Sequence, residues 1–209
     1  MTNRAFLWDL DGTLTDSYAV IVPALQDALA AFGLRYEREF VYEYVIRTSV
    51  YDLAVFAAEK AGMEPEQIMD CYTRISTGRN GQIRAMPHAA ETLGALHDAG
   101  CPCFLYTHRG GSTYELLERN GLAPFFAEIV TNQSGFPRKP EPDGILYLME
   151  KHGLDPARSW YVGARRIDME AARRAGIGSV LFLPPGSPGT PAGVEDHVVT
   201  DLRQILAIE

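Results

Sequence analysis

Two carboxylates stand two residues apart, Asp9 and Asp11, in the stretch Asp9-Leu-Asp-Gly-Thr-Leu-Thr-Asp-Ser17. An acid that stays ionised beside a cation can act as a nucleophile. A second acid, offset from that cation, can hold a proton, deliver it to a leaving group and then take one from water. Gly12, directly after the pair, lets the backbone turn sharply and approach a ligand closely. Thr13 and the backbone N–H groups around it can face an anion. An isolated Asp-x-Asp-Gly would read more simply as a turn or a helix cap. The extension Thr-Leu-x-Asp-Ser makes the pattern longer, so the remainder of the chain must decide.

The element that has to present this pair is short and apolar. Ala5-Phe6-Leu7-Trp8 lacks alternation, which predicts a strand buried on both faces of a parallel sheet. In open α/β sheets the carboxyl ends of the strands form the ligand rim. After Ser17 the periodicity turns helical. Val20, Ile21, Ala24, Leu25, Ala28, Leu29 and Phe32 share one face, with Pro23 marking either a start or a bend. Further helices are predicted over 38–46, 49–61 and 65–77, and no clear strand falls between about 17 and 82. This stretch reads as a helical insert, 17–82, in an α/β core made of 1–16 plus 83–209. Beyond it strand and helix alternate. Strands are predicted at 101–106, 128–131, 159–162, 179–183 and 196–200. Helices are predicted at 87–100, 112–120, from the 138–143 stretch to about 152, at 166–175 and at the C-terminus. That alternation predicts a Rossmann-like, doubly wound parallel sheet with right-handed crossovers.

Bulk composition narrows the partners. The 209 residues carry 19 basic and 27 acidic side chains, a net charge of −8. Such a balance argues against non-specific binding to nucleic acid or to an anionic membrane. No signal-peptide pattern and no bilayer-length apolar run is present. Cys71, Cys101 and Cys103 lack metal-ligand spacing and read as reduced core thiols of a cytoplasmic protein. Nothing demands more than a monomer, and a dimer is left open.

Four stretches then line up in order: the Asp9–Ser17 motif, Thr107 at the end of the second core strand, Lys139 in Lys-Pro-x-Pro, and Asp168 after Trp160-Tyr161-Val162-Gly163. Together they resemble the haloacid dehalogenase-like hydrolase superfamily, in its phosphoglycolate-phosphatase-like branch. The resemblance covers nearly the whole chain. It implies that Asp9 attacks phosphorus to form an aspartyl-phosphate and that Asp11 serves as acid and then base. It implies Mg2+ on the Asp9 carboxylate, the Asp11 backbone carbonyl and Asp168. Thr107 and Lys139 would hold the phosphoryl oxygens, and the insert would be a cap over a small phosphorylated metabolite. For Lys139 the plainer alternative is a solvated charge, and for Thr107 a helix N-cap. Arg47 is the one cap residue named for a second anionic group, against a stronger reading as a solvated surface arginine. His108 is read equally as a substrate or phosphate contact and as loop packing. Asp11 favours phosphate esters over halides, since a halide leaving group needs no proton.

The fourth motif departs from the family pattern. Gly163 is followed by Ala164-Arg165-Arg166-Ile167-Asp168, so an alanine occupies the place of the first acid, and its methyl cannot bind a hard cation. The resemblance therefore implies a phosphatase impaired by Ala164. Two alternatives stand beside it: a catalytically weakened phospho-ligand-binding or regulatory protein, and a phosphosugar mutase related to β-phosphoglucomutase.

Overall fold

The computed structural model describes residues 4–191 and 193–209. The described chain divides into two compact units, one ending at Thr15 and resuming at Arg84, the other Asp16–Ile83.

The first unit begins with β1 (Ala5–Trp8), every residue of which is buried. The chain then passes through the helical unit. There α1 (Tyr18–Ala30), α2 (Arg38–Arg47), α3 (Val50–Ala61) and α4 (Pro65–Arg79) pack around Val22, Leu25, Leu29, Val41, Leu53, Ala57 and Ile68. Helix α1 begins five residues before Pro23 and runs through it. Ser49 caps α3 by accepting from the Asp52 N–H at 3.1 Å, and Pro65 takes the first helical position of α4, where its missing N–H is harmless.

Back in the first unit come α5 (Ala89–Asp98), β2 (Cys103–Tyr106), α6 (Ser112–Arg119), β3 (Phe126–Val130), α7 (Asp143–His152), β4 (Ser159–Gly163), α8 (Arg166–Ala175), β5 (Gly178–Phe182) and β6 (His197–Val199). The strands form one parallel sheet in the order β3-β2-β1-β4-β5-β6. This is the doubly wound order, and its switch point lies between β1 and β4, where such sheets open a crevice. Burial follows position: β1 and β2 are wholly buried, while the edge strands β3 and β6 are partly exposed.

Three predicted elements differ. Helix α7 starts at Asp143, the last residue of the 138–143 stretch rather than its first, because Pro140 and Pro142 keep the residues before them out of helical conformation. Helix α5 starts after His88, which has φ +66°, so Pro87 lies outside it. The C-terminal segment Leu202–Ala207 is a 3₁₀ helix: a short piece closed by an Asp201–Gln204 capping box. Among the described residues no helix is long and apolar enough to cross a membrane.

Candidate active site

Asp9 follows β1 directly. Its N–H donates to the Val162 carbonyl at 2.9 Å, so the β1–β4 ladder continues one residue past the strand and fixes the Asp9 backbone. The chain then wraps around one carbonyl. Leu10 C=O accepts from the N–H groups of Thr13, Leu14 and Thr15 at 3.2, 3.0 and 3.0 Å, and from the Thr15 hydroxyl at 3.1 Å. Gly12, with φ +81°, makes this turn possible, and its own N–H donates to Thr15 C=O at 2.9 Å. The N–H groups of Gly12 and Thr13, read from sequence as facing an anion, are thus spent inside the loop. A turn this tight satisfies its own donors. What the loop retains is the Thr13 hydroxyl, buried without a hydrogen-bond partner.

Three sequence-distant groups meet beside Asp9. The Lys139 ammonium, fully buried, lies 2.8 Å from Asp9 Oδ1 and 2.7 Å from Asp168 Oδ1. It also donates to the Tyr161 hydroxyl at 2.8 Å, which in turn donates to the Tyr106 carbonyl at 2.7 Å. A buried ion pair is tolerable only when its remaining donors are satisfied, and Tyr161 does that here. Lys139 is therefore no solvated charge. Asp168 sits in the first turn of α8, where its Oδ2 accepts from the Arg165 N–H at 3.0 Å. Gly163 makes room for it: a Cβ there would lie 2.4 Å from Asp168 Cβ. The Arg165 guanidinium reaches 4.0 Å from Asp9 Oδ2 and 3.9 Å from Asp168 Oδ2. Asp9 Oδ2 itself is buried with no hydrogen-bond partner.

Burial raises the Asp9 pKa above its usual value. Lys139 and Arg165 pull it down and the Asp168 charge pushes it up, and the net direction is upward. Burial, then the charges of Asp168 and Asp9, push the Tyr161 hydroxyl well above its usual range, so it stays protonated and keeps its donor.

Asp11 is held from the β2 side. Arg109 grips it through Nε, at 3.0 and 3.2 Å from its two oxygens, and through Nη2 at 2.7 Å. Thr107, buried at the end of β2, accepts the Arg109 N–H at 3.1 Å and so shapes the loop that aims this fork. Thr107 is not a helix cap, since α6 begins only at Ser112. His108 Nε2 accepts the Lys139 N–H at 2.8 Å, which assigns the ring proton to Nδ1. Burial, then the charges of Lys139, Arg138 and Arg165, lower the His108 pKa to about 2, so the ring is neutral. Its observed task is to hold the Lys139 backbone. Arg47 lies in the helical unit, with its side chain 69% exposed and 3.8 Å from Glu43, as a solvated arginine would be.

A family model described as haloacid dehalogenase-like hydrolase matches residues 6–182. The chain belongs to that family. A phosphoglycolate phosphatase of Agrobacterium fabrum is 33% identical over 220 residues, covering 100% of this chain and 91% of its own length. One of Vibrio vulnificus is 28% identical, covering 98% and 95%. Among solved structures, a predicted phosphoglycolate phosphatase of Haemophilus somnus superposes with TM-score 0.85 at 24% identity, covering 99% of this chain and 98% of that one. A hydrolase of Pseudomonas syringae superposes with TM-score 0.77 at 26% identity, covering 98% and 97%.

The family resemblance implies a magnesium ion at this site, and the residues present do not fit one. Magnesium takes oxygen ligands in a near-octahedral shell. Ala164, buried at the end of β4, offers a methyl. Asp9 and Asp168 turn one oxygen each to Lys139, and their other oxygens face Arg165. Among the described residues no three His, Cys, Asp or Glu side chains gather as a metal group. A divalent cation between Asp9 and Asp168 would share that space with two resident positive charges.

Sequence reasoning passed over Arg165 and Tyr161. Arg165 stood in plain view inside the departed motif, and its charge was the signal. Tyr161 lies in a buried strand, and a hydroxyl in such a strand is a prompt to ask what it satisfies.

Proposed function

We propose that this haloacid dehalogenase-like hydrolase is a phosphatase that cleaves a small phosphate monoester, of the phosphoglycolate kind named for its relatives, through an aspartyl-phosphate on Asp9. The observation that carries the reading is the asymmetry of the Asp9 carboxylate. Oδ1 is tied to Lys139, while Oδ2 is buried, without a hydrogen-bond partner, beside Arg165. An oxygen held in a fixed place yet not hydrogen-bonded is a poised nucleophile.

In this reading Oδ2 attacks phosphorus as the phosphorus–oxygen ester bond breaks. The departing oxygen takes a proton from the Asp11 carboxyl. Water then attacks phosphorus, gives its proton to Asp11, and releases phosphate and free Asp9. Both halves need Asp11 to exchange its Arg109 contact for the substrate or water. Lys139 and the hydroxyls of Thr107 and Thr13 neutralise and orient the phosphoryl oxygens, which is most of the work in phosphoryl transfer. The helical unit would act as the cap that reads the remainder of the substrate, with Arg47 its candidate for a second anionic group. All the groups named come from one chain, so a monomer suffices. Three free, buried cysteines suit the cytoplasm.

The phosphatase names of the relatives favour hydrolysis over the mutase alternative. The test is phosphate release from a panel of small phosphomonoesters. Asp9→Asn is expected to abolish release. Asp11→Asn is expected to lower release by at least about a hundredfold, since both halves of the reaction lose their proton carrier. Full activity in Asp9→Asn would remove the nucleophile assignment.

A further inference from the structure

We propose that Arg165 takes the place of the divalent cation, so that this chain binds the phosphoryl group and transfers it without added metal. The inference rests on the phosphatase reading of Asp9 and deepens it.

The geometry gives Arg165 a specific place. It is the residue before α8, and its N–H donates to Asp168 Oδ2 at 3.0 Å, which anchors its backbone. Its side chain is only 11% exposed and lies beside both carboxylates, 4.0 Å from Asp9 Oδ2 and 3.9 Å from Asp168 Oδ2. Lys139 occupies the Oδ1 atoms of the same two residues, at 2.8 and 2.7 Å. Each carboxylate therefore has Lys139 on one oxygen and Arg165 facing the other. A cation bridging the Oδ2 atoms of Asp9 and Asp168 would have the positive guanidinium as its neighbour.

Charge points the same way. An aspartate at 164 would add one negative charge; Ala164 adds none, and Arg165 adds a positive one. Ala164 with Arg165 thus carries a charge of +1, the same as an aspartate at 164 holding a divalent cation. A guanidinium suits the task because it never loses its proton, and its planar fork of donors matches two phosphoryl oxygens. At 3.9–4.0 Å its contacts to the carboxylates are ion pairs longer than hydrogen bonds. A phosphoryl group arriving at Asp9 Oδ2 would come within reach of that fork.

Two measurements on the full chain decide the matter, both in EDTA and again with Mg2+: calorimetric titration with inorganic phosphate, and phosphate release from the phosphomonoester panel. The expected result is that phosphate binds in EDTA and that Mg2+ changes neither binding nor turnover. Arg165→Gln should weaken phosphate binding by about tenfold, the scale of one charge-assisted hydrogen bond. It should lower turnover by about a hundredfold, the scale for losing one charge-stabilising donor. The double change Ala164→Asp with Arg165→Gln should create Mg2+ binding, read directly by titration with magnesium chloride. Phosphate binding or turnover that appears only with Mg2+ overturns the proposal, as does an Arg165→Gln chain that binds phosphate in EDTA as well as the parent. Metal-free, Arg165-dependent phosphate binding with no turnover under any condition would uphold the role of Arg165 and overturn the phosphatase reading instead. If Arg165→Gln fails to fold, the EDTA and Mg2+ comparison on the unaltered chain decides alone.

Discussion

A buried carboxylate that must stay ionised to attack is pulled in two directions. For Asp9, burial is the larger influence and lifts its pKa above the ordinary 3.8, against the pull of Lys139 and Arg165. Only the ionised form is nucleophilic, so activity is lost as pH falls through this raised value. The expected pH profile of kcat/KM therefore has an acid limb above 3.8. A limb at or below that value would show that the two cations outweigh burial. At this scale the sequence was readable where a residue type can serve few purposes. Asp9, Lys139 and Asp168 are far apart in the chain, and the structure places them within one ion-pair network. It was silent where the role depends on direction. The fork of Arg109 on Asp11 and the grip of His108 on the Lys139 N–H follow from loop shape, which no spacing rule encodes.

Between elements, the edge strand β3 is fastened to α7 by Glu128. This carboxylate accepts from Lys151 and Tyr147 at 2.8 Å and pairs with His152 at 2.6 Å. Desolvation alone would raise its pKa, but these hydrogen bonds outweigh it and bring it from 4.5 to about 2. A depressed acid stabilises the fold above its unfolded pKa and loses that contribution as pH falls through its folded one. Glu128→Gln should thus lower Tm at pH 7, and the difference should vanish as pH drops from 4.5 to about 2 in thermal melts. An unchanged gap at about pH 2 would assign the loss to packing rather than charge. The parallel sheet was legible because β1 and β2 read as unbroken apolar runs. The start of α7 was not, since Lys-Pro-x-Pro mixes helix-start and helix-break signals and only the backbone resolves them.

For the whole molecule, the informative place is where the helical unit leaves and returns. Thr15 and Ala85 form an antiparallel bridge, and the Met86 N–H donates to the Leu14 carbonyl at 2.9 Å. The insertion thus begins and ends at adjacent points of the α/β unit. Every residue of the Asp9–Lys139–Asp168–Arg165 group belongs to that unit. Replacing Asp16–Ile83 by a short Gly-Ser turn should leave a chain that melts cooperatively in circular dichroism and still binds inorganic phosphate. A non-cooperative melt would mean the α/β unit needs the helices to fold. The insertion was visible in sequence as a long strand-free stretch, whereas the bridge that pins its ends was not, because neither Thr15 nor Ala85 belongs to a strand. The same layout sets an order in time. β1 is made before the helical insert, yet its two neighbours in the sheet, β2 and β4, are made only after the entire insert. The helices contact each other locally and can assemble early, while non-local strand pairing is slow. The strand that leads into Asp9 is thus made well before either of its partners, an apolar segment that chaperones would meet while the insert is being synthesised.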